Sequence, residues 1–90
     1  MKTIYFVVYL AGIDEMTEEI AESLFAGGCD GTPGTREGRA MIQYACEANS
    51  MDEAVIPALN EIRKAGFDFS KVEIDPESLR ALYLQSRNIA

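Results

Sequence analysis

The chain has 90 residues, of which 48% are hydrophobic and 26% charged, and its formal net charge is −7. This length corresponds to one domain, and the composition is that of a globular protein rather than a disordered one. Fifteen acidic residues against eight basic ones would repel nucleic acid or an anionic lipid surface, so we expect neither as a direct partner. No apolar run reaches the roughly 18 residues of a membrane span, so we expect a cytoplasmic protein with reduced thiols.

The first predicted element is a strand over residues 3–11, which are rich in β-branched and aromatic types. Successive side chains of a strand point to opposite faces, and both faces of this segment are apolar. We therefore expect the strand to lie in the centre of a sheet. One face carries Ile4, Phe6, Val8 and Leu10, and the other carries Tyr5, Val7 and Tyr9.

A helix is predicted after Thr17, whose hydroxyl suits an N-cap, and it should end at the pair Gly27-Gly28. Glutamates in its first turn are favoured by the helix dipole. We expect its apolar stripe to be buried, and this stripe consists of Ile20, Ala21, Leu24 and Phe25.

The pattern of residues 29–47 predicts a hairpin whose tip, Glu37-Gly38, suits a tight two-residue turn. The first arm is rich in glycine and proline, which predicts a short, irregular edge strand. The second arm, residues 39–46, alternates in the manner of a central strand. One side of that arm carries Ala40, Ile42, Tyr44 and Cys46.

Cys29 and Cys46 are the two cysteines of the chain, and the predicted hairpin places them directly opposite each other. Two thiols do not make a structural zinc site, which normally takes four ligands, so we predict no metal. Both side chains should face the core together with Ile42 and Tyr44. We interpret them as a buried, structural thiol pair, with a redox pair as the alternative.

The segment Ser50-Met51-Asp52-Glu53 matches a capping box and predicts the start of a second helix, which should end near Gly66. Pro57 lies inside this helix, so we expect a kink there or an irregular first turn. A short fourth strand is predicted at Lys71–Ile74. The step Asp75-Pro76 then predicts a terminal helix, with the aspartate as cap and the proline at the first helical position.

The predicted order is β-α-β-β-α-β followed by a helix. Right-handed crossovers place the first and third strands in the middle of one antiparallel-mixed sheet, with both helices on one face. We therefore predict an α+β fold, a ferredoxin-like βαββαβ sandwich with a short C-terminal helix. Residues 1–75 would form the domain, and residues 76–90 a helix and tail that pack on the domain or on a partner, with fraying from residue 85.

Histidine is absent, which excludes Ser-His-Asp and Cys-His nucleophiles and imidazole metal sites within one chain. The glycine-rich residues 27–34 follow a helix instead of preceding one, so they do not predict a phosphate loop. The acidic residues between Asp14 and Glu22 do not have the spacing of a calcium loop. We predict a protein that is not an enzyme and needs no cofactor.

The sheet face directed away from the helices is the strongest candidate for a binding surface. A monomer rarely leaves a contiguous apolar and aromatic patch in water, and interface centres favour aromatic residues and methionine. We expect homodimerisation through this face; coverage by the terminal helix (Leu79, Leu82, Tyr83) and ligand binding are the alternatives. The predicted face consists of Tyr5, Val7, Tyr9, Met41, Gln43 and Ala45.

Three segments of the chain resemble the N-terminal domain of small bacterial helix-turn-helix DNA-binding proteins, namely residues 24–34, Arg36-Glu37-Gly38, and residues 47–50 together with Glu53-Ala54-Val55. The resemblance covers residues 4–79. Longer relatives continue into a helix-turn-helix where this chain ends 11 residues after Leu79, and they carry ordinary helix formers at the position of Pro57. The resemblance implies an accessory domain of a regulator-like protein without its DNA reader, and it implies no catalytic residues.

Two functions follow from these observations. The first is an interaction module that self-associates through its sheet face and regulates a partner protein. The second rests on Gly12-Ile13-Asp14, which follows the first strand and precedes a helix and a hairpin. This arrangement resembles amino-acid-binding ACT domains, which share the fold, and it implies a sensor of an amino acid or another metabolite.

Overall fold

The chain folds as an α+β sandwich in a computed structural model that describes residues 2–89, with side chains up to residue 84. Met1 and Ala90 lie outside the described residues. The ferredoxin-like βαββαβ order with a C-terminal helix is as predicted. Its elements are β1 (Lys2–Leu10), α1 (Glu18–Ala26), β2 (Thr32–Arg36), β3 (Arg39–Ala48), α2 (Met51–Lys64), β4 (Phe69–Ile74) and α3 (Pro76–Ile89).

The four described strands form one sheet in the order β2-β3-β1-β4, so the two strands predicted to be central are central. All neighbouring strands are antiparallel, whereas a mixed sheet was expected. The expectation was wrong because each crossover helix joins two parallel strands that are not neighbours. Every parallel pair is therefore separated by one antiparallel strand.

The β2–β3 hairpin turns through Glu37 and Gly38, as predicted. Both residues have positive φ, 51° and 71°, which is the signature of a type I′ turn whose twist matches that of the flanking strands. Arg36 pairs with Arg39 across the turn, and the register runs without interruption to the pair Thr32 and Gln43. Because the turn fixes the register, every side chain of β2 and β3 is assigned to one face.

The core lies between the sheet and the two crossover helices. Phe6 and Tyr44 stack with ring centroids 5.0 Å apart, and each fully buried aliphatic side chain contributes about 1.5–3 kcal/mol. Because side chains of both α1 and α2 belong to this one core, the two helices lie on the same face of the sheet, as expected. The buried side chains of this core include Ile4, Phe6, Val8, Leu10, Leu24, Ile42, Ala54, Ala58 and Ile62.

The predicted caps are present. Thr17 Oγ1 accepts from the N–H of Ile20 at 3.2 Å, and Ser50 Oγ accepts from the N–H of Glu53 at 3.2 Å. Glu53 Oε2 in turn accepts from the N–H of Asn49. In a standard capping box the donor would be the N–H of the cap residue itself, one position later. Helix α2 remains continuous across Pro57 and its first turn is α-helical. The expected irregular first turn is therefore absent.

Helix α3 is tied to the edge of β1 at the point where β4 ends. The N–H of Asp75 donates to the carbonyl of Tyr5 at 2.9 Å, and the N–H of Tyr5 donates to Ser78 Oγ at 2.9 Å. Asp75 also caps the helix by accepting from the N–H of Ser78. Leu82 packs against the core. The helix continues to Ile89, through the residues expected to fray.

Candidate functional site

The sheet face opposite α1 and α2, called here the open sheet face, gathers all six residues predicted for it. They form three consecutive cross-strand pairs, in which β1 supplies one member and β3 the other. Directly opposed residues of this kind are in side-chain contact distance. The pairs are Tyr5 with Ala45, Val7 with Gln43, and Tyr9 with Met41.

The two ends of this face differ in exposure. Tyr9 is 1% exposed and Met41 is 7% exposed, so this pair, the closed end, is already buried within the monomer. Tyr5 is 53% exposed, and its neighbours Gln43 and Ala45 are also exposed, with Val7 half-buried. These four residues form the open end. The structure therefore leaves only part of the predicted surface accessible to a partner.

Charged side chains from β4 cover Tyr9. Lys71 Nζ lies 4.9 Å from the centre of the Tyr9 ring, a cation–π contact, and forms a 3.0 Å ion pair with Glu73. The Tyr9 hydroxyl donates to Glu73 Oε1 at 3.4 Å. The hydrogen bond from Lys71 is the main cause that lowers the pKa of Glu73, and the positive charge of Arg36 adds to it. The sequence interpretation missed these residues, although the alternation of β4 places Lys71 and Glu73 on this face.

Met41 is accommodated by a glycine of β2. Gly34 is the partner of Met41 in the ladder, and a Cβ at Gly34 would lie 2.9 Å from Met41 Cε. Real Cβ atoms essentially never approach so closely, so the methionine occupies the space that a larger residue would need. The glycine that predicted an irregular edge strand thus has a specific packing role.

A hollow of about 410 Å³ crosses the middle of the open sheet face. Its walls combine a guanidinium, a carboxylate and a side-chain amide with an aromatic and an aliphatic surface. The start of α3 forms one rim. Its lining includes Tyr5, Val7, Arg36, Gln43, Glu73, Asp75 and Pro76.

The described side chains of helix α3, residues 76–84, do not cover the open end. Ser78 holds the helix at the edge of β1, and Leu82 packs against the core. Leu79 and Tyr83 remain about half exposed, as does Tyr5. Of the three residues proposed to cover the sheet face, one is therefore used in the core and two face solvent.

The two cysteines are free thiols that are not paired across the hairpin. The ladder begins at Thr32, so Cys29 precedes it, and Cys29 Sγ contacts the Tyr44 hydroxyl at 2.8 Å instead. Burial and this contact raise the pKa of Tyr44, and burial followed by the charge of Asp30 raises the pKa of Cys46. Because the thiolate is the reactive form of cysteine, a raised pKa makes Cys46 a weak nucleophile at neutral pH.

The segment that resembles ACT domains does not reach the hollow. Gly12 takes a positive φ of 73°, and the carbonyl of Ile13 accepts from the N–H of Ala40 at 3.0 Å. This hydrogen bond ties the loop between β1 and α1 to the start of β3. None of Gly12, Ile13 and Asp14 lines the hollow. The loop has a structural role that the sequence did not reveal.

Among the described residues, no group of three or more cysteine, aspartate or glutamate side chains is placed to hold a metal ion. Within the same part of the chain, no helix is long and apolar enough to cross a membrane. Comparisons with models of known protein families, with curated proteins and with solved structures gave no match.

Proposed function

We propose that the chain is a non-enzymatic interaction module that self-associates as a homodimer through the open end of its sheet face. The observation that carries this proposal is Tyr5, an aromatic side chain that is 53% exposed on the central strand β1, beside Val7 and Ala45. Aromatic side chains on a firm backbone are the usual anchors of protein interfaces.

The charges around the open end also support self-association. In a two-fold dimer the same patch occurs on both subunits, so the patch must be complementary to itself. Arg36 lies on one side of the hollow, whereas Glu73 and Asp75 lie on the other. A second copy rotated by a half turn would place each arginine near the partner's carboxylates. Charge complementarity of this kind sets the register of an interface.

The proposed context is regulatory. The resemblance to N-terminal domains of helix-turn-helix proteins supports a role as accessory domain of a regulator-like protein. The net charge of −7 makes direct DNA binding by this chain unfavourable. A labelled DNA duplex should therefore show no change in fluorescence anisotropy when the chain is added at moderate salt.

The decisive experiment measures oligomeric state by sedimentation equilibrium. Tyr5→Glu should weaken the dimer at least tenfold, because a charge replaces the interface anchor. Ile56→Glu is the matched control, since Ile56 is 50% exposed on α2, on the opposite side of the molecule. A monomeric wild type, or equal effects of the two variants, would reject the proposal. Tyr9 is unsuitable for this test because it is buried.

A second candidate function is a sensor of a small zwitterion such as an amino acid, and the hollow favours it. Arg36 can bind a carboxylate through two parallel hydrogen bonds, and Glu73 can accept from an ammonium group. Val7 and Tyr5 offer an apolar surface to the ligand's side chain. In thermal shift assays with individual amino acids, Arg36→Gln should remove a stabilisation that Arg39→Gln retains. No stabilisation by any amino acid excludes this candidate.

A further inference from the structure

We propose that a second surface, the cleft between α1 and β2, binds a basic amphipathic helix of a partner protein. The cleft has a volume of about 400 Å³ and lies beside β2, the strand at the edge of the sheet. It is distinct from the open sheet face because its floor is formed by the core side of the sheet. Its walls are Ala21, Glu22, Leu24, Phe25, Cys29, Gly31, Pro33 and Ile42.

The cleft exists because the sequence supplies little side-chain volume at this edge. Pro33 is the residue of β2 that pairs with the buried Ile42, and a Cβ at Gly31 would collide with the same Ile42. Helix α1 buries Leu24, but Phe25, expected to be buried, is 81% exposed at the rim. The prediction for Phe25 was wrong because the edge of the sheet beside it, with Gly31 and Pro33, offers too little side-chain volume to cover its ring.

Strand addition at this edge is disfavoured, which favours a helix as the occupant. Residues that flank a two-residue turn, here Arg36 and Arg39, form a hydrogen-bonded pair. Alternation then directs the backbone groups of Gly34 toward β3 and those of Pro33 and Thr35 outward. Proline has no N–H to donate, so an added strand would lose a bond in the middle of this short edge.

Charge identifies the partner as basic. Helix α1 contains three glutamates and no lysine or arginine, a net charge of −3, and Asp30 follows close behind it. Among the residues that the structure describes, Glu22 is the one charged residue in the cleft lining, and none of them contributes a basic side chain there. Two copies of this cleft would bring like charges together, which costs free energy. A helix with lysine or arginine beside its apolar stripe fits both the acidic rim and the apolar floor.

The dimensions suit helix-in-groove recognition. Helix α1 has nine residues and is therefore about 13 Å long, which corresponds to between two and three turns of a partner helix. Apolar side chains spaced by three or four residues along that helix would enter the cleft beside Phe25. Basic side chains next to the stripe would pair with Glu22 and with Glu18 or Glu19 on the same α1.

The experiment uses a synthetic helical peptide with leucine along one face and lysine on the other, titrated into isotope-labelled protein. Backbone amide shifts should concentrate at residues 21–25 and 29–34. A peptide with glutamate in place of lysine should bind at least tenfold more weakly, and so should a scrambled peptide. Equal binding of the three peptides, or shifts centred on the open sheet face, would overturn the proposal.

Two variants locate the site. Phe25→Ser should weaken binding of the lysine peptide about fivefold without affecting folding, because Phe25 is exposed. Ile56→Ser, which removes an exposed apolar side chain from α2, should leave binding unchanged. Ala21→Trp should fill the cleft and weaken binding at least tenfold. Asn60→Trp, which adds the same bulky side chain at an exposed position of α2, is the control and should leave binding unchanged. If Ala21→Trp instead dissociates a homodimer in the absence of peptide, the occupant is a second copy and the basic-partner proposal fails.

Discussion

The two ends of the open sheet face are built from the same two strands, yet they differ in what they offer to a partner. At the closed end, Tyr9 and Met41 are almost inaccessible, whereas at the open end Tyr5 is half exposed. The difference comes from the flanking strands. Lys71 and Glu73 reach over Tyr9 from β4, and Gly34 of β2 makes room for Met41.

This contrast shows that an apolar residue on a solvent-facing strand position is not automatically available for binding. Long charged side chains on neighbouring strands can bury an aromatic ring with their methylene groups while keeping their charges in water. The closed end therefore contributes to the stability of the monomer, and the open end is left for recognition. Substitutions at the closed end should accordingly lower the stability of the monomer, whereas substitutions at the open end should weaken binding.

The largest expected effect is the difference between Tyr9→Ala and Tyr5→Ala in urea denaturation. Removal of the buried ring at position 9 should lower the free energy of unfolding by about 3–5 kcal/mol, as for other large buried side chains. Removal of the exposed ring at position 5 should cost the monomer less than about 1 kcal/mol, measured at protein concentrations below the dissociation constant of the proposed dimer. Equal losses would mean that the two ends do not differ in the way described.

The next effect concerns the link between the open end and α3. Ser78→Ala leaves the N–H of Tyr5 without its acceptor, which should cost about 1–2 kcal/mol because Ser78 is buried. Hydrogen exchange of the Tyr5 amide should accelerate in the variant. Ser23→Ala on the exposed side of α1 is the control. Unchanged protection of the Tyr5 amide would show that α3 is not tied to β1.

A smaller effect is expected at the closed end from Gly34→Ala. The added methyl would crowd Met41 Cε, and because methionine is flexible the cost should be only about 1 kcal/mol. A double-mutant cycle with Met41→Ala measures the coupling. In that background the alanine at position 34 should cost nothing. If Gly34→Ala cost the same free energy in that background, the cost would arise from the backbone of β2 and not from contact with Met41.

The smallest effect is expected from Lys71→Gln, which removes the ion pair with Glu73 and the cation–π contact with Tyr9. At neutral pH the variant should lose a small part of the free energy of unfolding, and added salt should reduce this loss because both charges are exposed. The pKa of Glu73 lies below its usual value of 4.5 in the folded state, so its contribution is present above pH 4.5 and is lost as pH falls. The difference between wild type and variant should therefore narrow in acid, and a constant difference across pH would exclude this mechanism.

Much of the fold was predictable because it is specified locally. Period-two alternation identified β1 and β3, Thr17 and Ser50 marked helix starts, and Glu37-Gly38 fixed the hairpin register. These signals act between residues close in sequence. The central position of β1 followed from its two apolar faces.

The candidate site was only partly predictable, because accessibility depends on residues distant in sequence. Tyr9 is covered by Lys71, 62 positions later, and no local pattern connects them. Phe25 has the spacing of a buried helix residue, and its exposure follows from the small side chains of β2. The six residues of the open sheet face could be named from alternation, but which of them remain free could not.

The central position of β1 also has a consequence for biosynthesis. Its partners are β3 and β4, which lie at residues 39–48 and 69–74, so β1 is synthesised well before the second of its two neighbours. Until β4 is synthesised, the edge of β1 that will pair with it stays unpaired, and both faces of β1 are apolar. Sheets dominated by such distant pairings fold slowly and are exposed to aggregation meanwhile. The edge of β1 that awaits β4 is therefore where we expect the incomplete chain to be most open to aggregation.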